Sequence, residues 1–369
     1  MKLIFSFLII YLYLTMLEVK SQNFIFVLFK RYYNIICLFF VSFFLCINIH
    51  AEEKIYNCHN FDSLVPIING INSDLFSIDE NGNLNVLLFY RPTESEIFNY
   101  KMTTKLSTFE NSLPTNYKDL NTTRETILYF KHKVINIDTL FNITYTIKFD
   151  SVIVNSSVSS ADTSFKEYYN SNTNNQNQNN DEYLLYNLIS DEEFTITISQ
   201  NGDIREITGL MGNAFDSIYT NAELLSGIQK NIESILSLQF LFTPNEEFMM
   251  GSKWQRIVDT EFLIFPIRKN IFYTLKGVKK MHDNYIAFIS EESNAEFLEK
   301  EQDETNYLIK LTASHFGGEG VIQFNISKGC LEKIERKNSI FLNMNIYSHS
   351  GDGTSRQRVN KELLIERFD

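Results

Sequence analysis

No apolar run in this sequence reaches the roughly 20 residues that a bilayer-spanning helix needs. The two longest are "LIFSFLIIYLYLTML" (3–17) and "IICLFFVSFFLCI" (35–47). Basic charge is also in short supply. Lysine and arginine number 33 against 45 acidic residues, a formal net charge of -12. Residues 1–51 carry Lys2, Lys20, Lys30 and Arg31 against Glu18, so the remainder is still more acidic. Such a surface repels phosphate backbones and anionic headgroups, which excludes nucleic acid as a partner.

Catalytic signatures are missing too. Beyond residue 51 the histidines are His59, His132, His282, His315 and His349, none in H-E-x-x-H or at i, i+4 spacing, so a zinc hydrolase has no local support. There is no G-x-G-x-x-G and no P-loop. "SHFGGEG" (314–320) lacks the strand–G-x-S-x-G–helix setting of a nucleophile elbow. It reads as a hairpin loop between strands at 307–314 and 320–327. "DENGNLN" (79–85) offers oxygen ligands, but Gly82 is fourth from Asp79, where a calcium loop needs its glycine sixth; an Asn-Gly turn is expected. The acidic run "EESNAEFLEKEQDE" (291–304) reads as a solvated loop or short helix. No catalytic, cofactor-binding or metal-binding residue is nominated, and the chain is not expected to be an enzyme.

Residues 1–51 read as an export segment. Lys30 and Arg31 precede an apolar core of 13 residues, and "NIHA" ends on a small residue, so cleavage is expected after Ala51. The run at 3–17 then needs its own account. Either Met1 is an over-extended start and translation begins near Val27 or Leu28, the reading preferred, or residues 3–17 are a short signal anchor. Leu45 argues against lipidation of Cys46. Cys37 and Cys46 leave with the segment, and Cys58 and Cys330 remain as a candidate disulfide, the alternative being two independent thiols. Cys330, beside Gly329 at a tight turn, is expected to be exposed.

With only five prolines, each one marks a boundary. After a lead-in (52–94), period-2 stretches rich in Thr, Tyr, Ile and Phe fall at 98–110, 124–137 and 141–154. "NSNTNNQNQNN" (170–180) is a low-complexity loop, "EYLLYNLIS" (182–190) follows, and Asn201-Gly202 turns a hairpin over 194–207. From Thr220 the apolar residues Leu224, Leu225, Ile228, Ile232, Ile235 and Leu236 step by three and four, with Thr220 and Glu223 as a capping box and Pro244 as a stop. The spacing predicts one amphipathic helix over 220–242, packed on a sheet. Strands resume at 254–265, 270–281, 284–292, 307–314, 339–348 and 358–368. The fold class is mainly β (α+β), a large antiparallel meander.

"NITYTIK" (142–148) and "NIFYTLK" (270–276) agree at five of seven positions. The same 128-residue offset aligns Phe194, Ile196 and Ile198 with Ile322, Phe324 and Ile326. An internal duplication is expected, with halves at 95–210 and 245–369 joined by the helical connection 211–244.

"TPNEEFMMGSKWQRI" (243–257), with Gly251-x-x-Trp254, a following Tyr-Thr-Leu and a later "GEG", resembles a family of uncharacterised exported bacterial proteins defined only as a domain of unknown function. The resemblance spans about residues 95–345. It implies a β-rich envelope protein and carries no catalytic residues. Trp254 is expected to anchor the core at a strand start, its N–H satisfied by backbone.

Two functions follow as expectations. One is an exported binding module, in periplasm or at the cell surface, holding a lipid or lipidated protein against a curved sheet. The other is a structural or interaction protein with a self-filled core that meets other envelope proteins. Membrane contact is expected only through the N-terminal segment and no cofactor is expected. An outer-membrane barrel is disfavoured by charges on both faces of 276–284 and 331–338.

Overall fold

Alternation of apolar and polar residues builds nearly all of this structure. The computed structural model describes residues 75–78, 84–113, 119–173, 193–209, 235–244, 247–304, 307–348 and 351–368, with positions 80, 183, 186, 187, 189 and 190. A small sheet joins β1 (Phe76–Ile78), β2 (Leu84–Leu87) and β9 (Glu247–Met249) in the order β1-β2-β9. The large sheet has 13 strands. From the first half come β3 (Ile97–Leu113), β4 (Leu120–Ile137), β5 (Ile143–Ser159), β6 (Ser164–Asn170), β7 (Glu193–Ile198) and β8 (Ile204–Thr208). From the second come β10 (Lys253–Phe262), β11 (Phe265–Met281), β12 (Asn284–Phe297), β13 (Glu301–Glu304), β14 (Tyr307–Asn325), β15 (Cys330–Ser348) and β16 (Gly353–Phe368). The order is β10-β11-β12-β14-β15-β16-β3-β4-β5-β7-β8, with β6 on β5 and β13 on β14. Every pairing is antiparallel, and β16 against β3 fuses the halves into one sheet.

The sheet curls until its two edges approach. Arg256 on β10 lies 3.6 Å from Asp203, which leads into β8. No ladder closes this seam among the described residues. Residues 241–243 bridge it instead: Thr243 N–H donates to Asn201 O (2.9 Å), and Trp254 Nε1–H donates to Phe242 O (3.0 Å). Trp254 is 7% exposed and stacks on Tyr273.

Period-2 patterning sends alternate side chains inward. Tyr100 and Met102 on β3, Leu128 and Phe130 on β4, and Tyr145 and Ile147 on β5 are buried. On β5 the inward phase switches from Phe149 to Val152 because the register slips opposite Tyr129 and Phe130, a bulge. The convex face is polar, with ion pairs such as Lys131–Asp150 (2.8 Å) and Arg268–Asp259 (2.8 Å).

Several sequence expectations are corrected. "SHFGGEG" is not a loop: β14 runs unbroken through it. A Cβ on Gly320 would stand 2.6 Å from Glu335 O, so close strand approach, not a turn, explains that glycine. The acidic run 291–304 is extended, because Glu291, Ser293, Ala295 and Phe297 keep the inward phase of β12 before β13 begins. The described positions of 182–190 are helical, with Tyr183, Tyr186 and Ile189 buried at a spacing of three. β6 had no counterpart in the strand reading. Helix 220–242 ends early: residues 235–237 are its last helical positions, and 240–244 carry no regular structure; residues 220–234 lie outside the described set. Cys330 is 2% exposed, not surface-borne, because its turn is covered by Arg91. Cys58 lies outside the described residues, as do the export segment and Gly82.

The duplicated phrases occupy different positions in the sheet. β5 pairs directly with β7, whereas β11 and β14 flank β12. The 128-residue offset therefore does not repeat the strand order. The two hairpin turns nonetheless converge on one segment. Tyr90 N–H donates to Gln200 O (2.8 Å) and Arg91 N–H donates to Gly329 O (3.2 Å).

Candidate functional site

The concave interior gathers the chemistry. Strand register places three inward rows, each running across β12, β14, β15, β16 and β3. The first is apolar: Ile289, Ile322, Ile334, Ile365 and Met102. The second is Glu291, Gly320, Arg336, Leu363 and Thr104; the third is Ser293, Gly318, Asn338, Lys361 and Leu106. Beyond them Phe316, Ile340 and Val359 begin a second apolar cluster that includes Phe262, Phe265 and Phe297. A polar belt thus crosses the face between two apolar clusters.

Within the belt, Arg336 reaches across Gly320 to Glu291. Its Nε and Nη2 lie 2.9 and 2.8 Å from Glu291 Oε2. The residues are 6% and 1% exposed, so this pair is charge-assisted and shielded from water. Lys269 Nζ sits 6.0 Å from the Phe316 ring centre. On β4, Arg124 donates from Nε to Thr126 Oγ1 (3.3 Å) and from Nη2 to Tyr186 Oη (3.2 Å). Asn338 is different. It is 2% exposed, yet neither Nδ2 nor Oδ1 has a hydrogen-bond partner, and the Oγ of Ser293, also buried, has none. An orphaned buried donor or acceptor costs about 1–3 kcal/mol. Two residues bracketing one glycine carry that cost together.

The first apolar cluster is filled from within. Leu88 and Tyr90 of the lead-in, and Leu236, Leu238, Phe240 and Leu241, all enter it. Residues 235–244 join neither sheet. Leu241 N–H donates to Tyr90 Oη at 2.7 Å. Gln239 Oε1 meets His132 Nε2 at 2.7 Å, so His132 donates from Nε2. The rings of Tyr100, Phe130, Tyr145 and Phe240 surround that imidazole. Burial pushes its pKa down to about 4, against a smaller upward pull from Gln239.

Sequence reasoning nominated Cys58, Cys330 and Trp254. The structure sets Trp254 at the seam and Cys330 under Arg91, with Arg367 Nη1 3.6 Å from its Sγ, so neither belongs to the belt. No group of three or more His, Cys, Asp or Glu among the described residues is arranged to hold a metal ion. Glu291, Ser293, Arg336, Asn338 and Lys361 were not nominated. Their signal was present: each is a polar residue standing on the apolar phase of its own strand.

No family model matches the sequence, and no curated protein matches it. Among solved structures, OccK5 (OpdH) of Pseudomonas aeruginosa is 5% identical, over 74% of this chain and 99% of that one, with a TM-score of 0.19. A LolA superfamily protein, NE2245 from Nitrosomonas europaea, is 7% identical over 73% and 86%, at 0.11. The CymD monoaromatic hydrocarbon channel is 6% identical over 75% and 89%, at 0.13. TM-scores this low equate none of these folds with this one.

Proposed function

We propose that this chain is an exported envelope protein that holds an apolar ligand against the concave face of its curled sheet. One observation carries the reading: part of the apolar filling of that face comes from residues 236–242, which enter it outside any strand ladder. The segment is tethered by individual bonds to Tyr90, Asn201, His132 and Trp254. A segment held in this way can leave without unzipping a sheet.

Magnitudes narrow the ligand. Burial of Leu236, Leu238, Phe240 and Leu241 contributes roughly 6 to 12 kcal/mol, at about 1.5 to 3 for each side chain. A ligand that displaces them must supply a similar amount. At about 0.8 kcal/mol per methylene, one acyl chain of roughly 8 to 15 methylenes suffices. The polar convex face does not provide the apolar band of a lipid-facing barrel, so the ligand is taken to be bound inside.

The self-filled structural protein is the second reading, and the same four side chains favour it if they never leave. Native mass spectrometry of the exported protein, before and after organic extraction, separates the two. A co-purifying apolar mass that is extracted and rebinds supports the proposal. A bare chain that takes up no long-chain amphiphile rejects it.

A further inference from the structure

We propose that the row Ser293–Gly318–Asn338, flanked by Lys269 and Lys361, is a binding site for the carboxylate of a long-chain acid. This deepens the preceding reading and rests on it. Ser293 and Asn338 stand on β12 and β15, either side of β14, about 9.5 Å apart at two strand spacings. Gly318 between them contributes no side chain. Ser293 and Asn338 are both buried, and their polar side-chain atoms lack partners.

The chemistry of these unpartnered atoms selects the ligand group. The Asn338 amide N–H bonds and the Ser293 hydroxyl are donors without an acceptor. A carboxylate presents two oxygens in one plane and can take a bond from each side. Charge agrees. Lys361 faces the site from β16, in register with Asn338, and Lys269 from β11, diagonal to Ser293. Arg336 and Glu291 neutralise one another, so these four charged neighbours carry a net positive charge. Apolar clusters lie on both sides of the belt, so a tail continues from the head in either direction. An amphiphile with an anionic head matches an apolar face interrupted by a cationic strip.

The test uses oleate and its methyl ester on the full chain, with binding measured by displacement of a fluorescent fatty-acid probe. Oleate is expected to bind at least about tenfold tighter than methyl oleate, since charge-assisted hydrogen bonds are roughly twice as strong as neutral ones. Asn338→Leu is expected to collapse that ratio towards one while ester binding persists, and Ser293→Ala to reduce it in part. Thermal melting checks the fold: Asn338→Leu removes an orphaned amide and should melt at or above the wild type. An undiminished ratio in Asn338→Leu, or no preference in the wild type, overturns the head-group site while leaving apolar binding intact. Failure of both probes to bind overturns the apolar-ligand reading and this site with it.

Discussion

His132 and Gln239 meet Nε2 to Oε1 at 2.7 Å, inside an aromatic enclosure that admits almost no solvent. The bond ties the inserted segment to β4. Its pKa near 4 in the fold, against about 6.5 in the unfolded chain, means that the unfolded state takes up the proton first. This contribution is complete above about pH 6.5 and lost as pH falls towards 4, up to about 3 kcal/mol in all. Melting temperature should fall across that interval. His132→Phe should flatten the fall while lowering stability at pH 7, because Gln239 Oε1 loses its partner. Parallel melting curves for variant and wild type from pH 7 to 4 would contradict the assignment.

Removing half of the Glu291–Arg336 pair should be far worse than removing both halves. Glu291→Leu takes the carboxylate from a buried guanidinium and is expected to cost about 3–5 kcal/mol in denaturant unfolding. Glu291→Leu with Arg336→Met should recover most of that loss. A double variant as unstable as the single would mean that strand packing, not charge, dominates at this crossing.

Three glycines separate backbone strain from steric overlap. Gly202, Gly251 and Gly329 have φ of 84°, 83° and 56°. An alanine Cβ at Gly251 meets nothing within 4 Å, so Gly251→Ala should cost only the left-handed backbone term, about 1–2 kcal/mol. At Gly202 the new atom falls 2.1 Å from Leu241 O, and at Gly329 2.3 Å from Arg91 N. Those two alanine variants should lose clearly more, read as a lower denaturation midpoint.

Burial pushes the Cys330 thiol up to about 12. A disulfide-exchange reagent at pH 8 should leave Cys330 unmodified in the folded protein and label it in guanidinium, checked by peptide mapping. Rapid labelling of the native chain would show that the Arg91 segment does not cover the turn. Trp254, the chain's single tryptophan, offers a parallel readout. Its emission should shift to the red when the seam between Trp254 and Phe242 opens.

Much of the large sheet was legible because the inward phase is written plainly. Phe194, Ile196 and Ile198, or Leu128 and Phe130, need no tertiary information to declare a strand. Gly317, Gly318 and Gly320 misled for a physical reason: glycine is equally at home in a turn and where two strands crowd together. The charged residues of β12 misled similarly, because solubility and an internal ion pair draw on the same side chains. The inward belt was written as phase breaks, Arg336 and Asn338 between Ile334 and Ile340. Which residues those breaks faced depended on the register of β14 against β12 and β15, and no local pattern encodes that register.

The pairing of β16 with β3 has a temporal consequence. Phe368 lies opposite Asn99, so β3 depends for its second neighbour on a strand made only after every other strand of the sheet described above. Contacts so distant in sequence form slowly. β3 must therefore wait for β16, and a chain lacking β16 would be left as two unjoined pieces of sheet with open, aggregation-prone flanks.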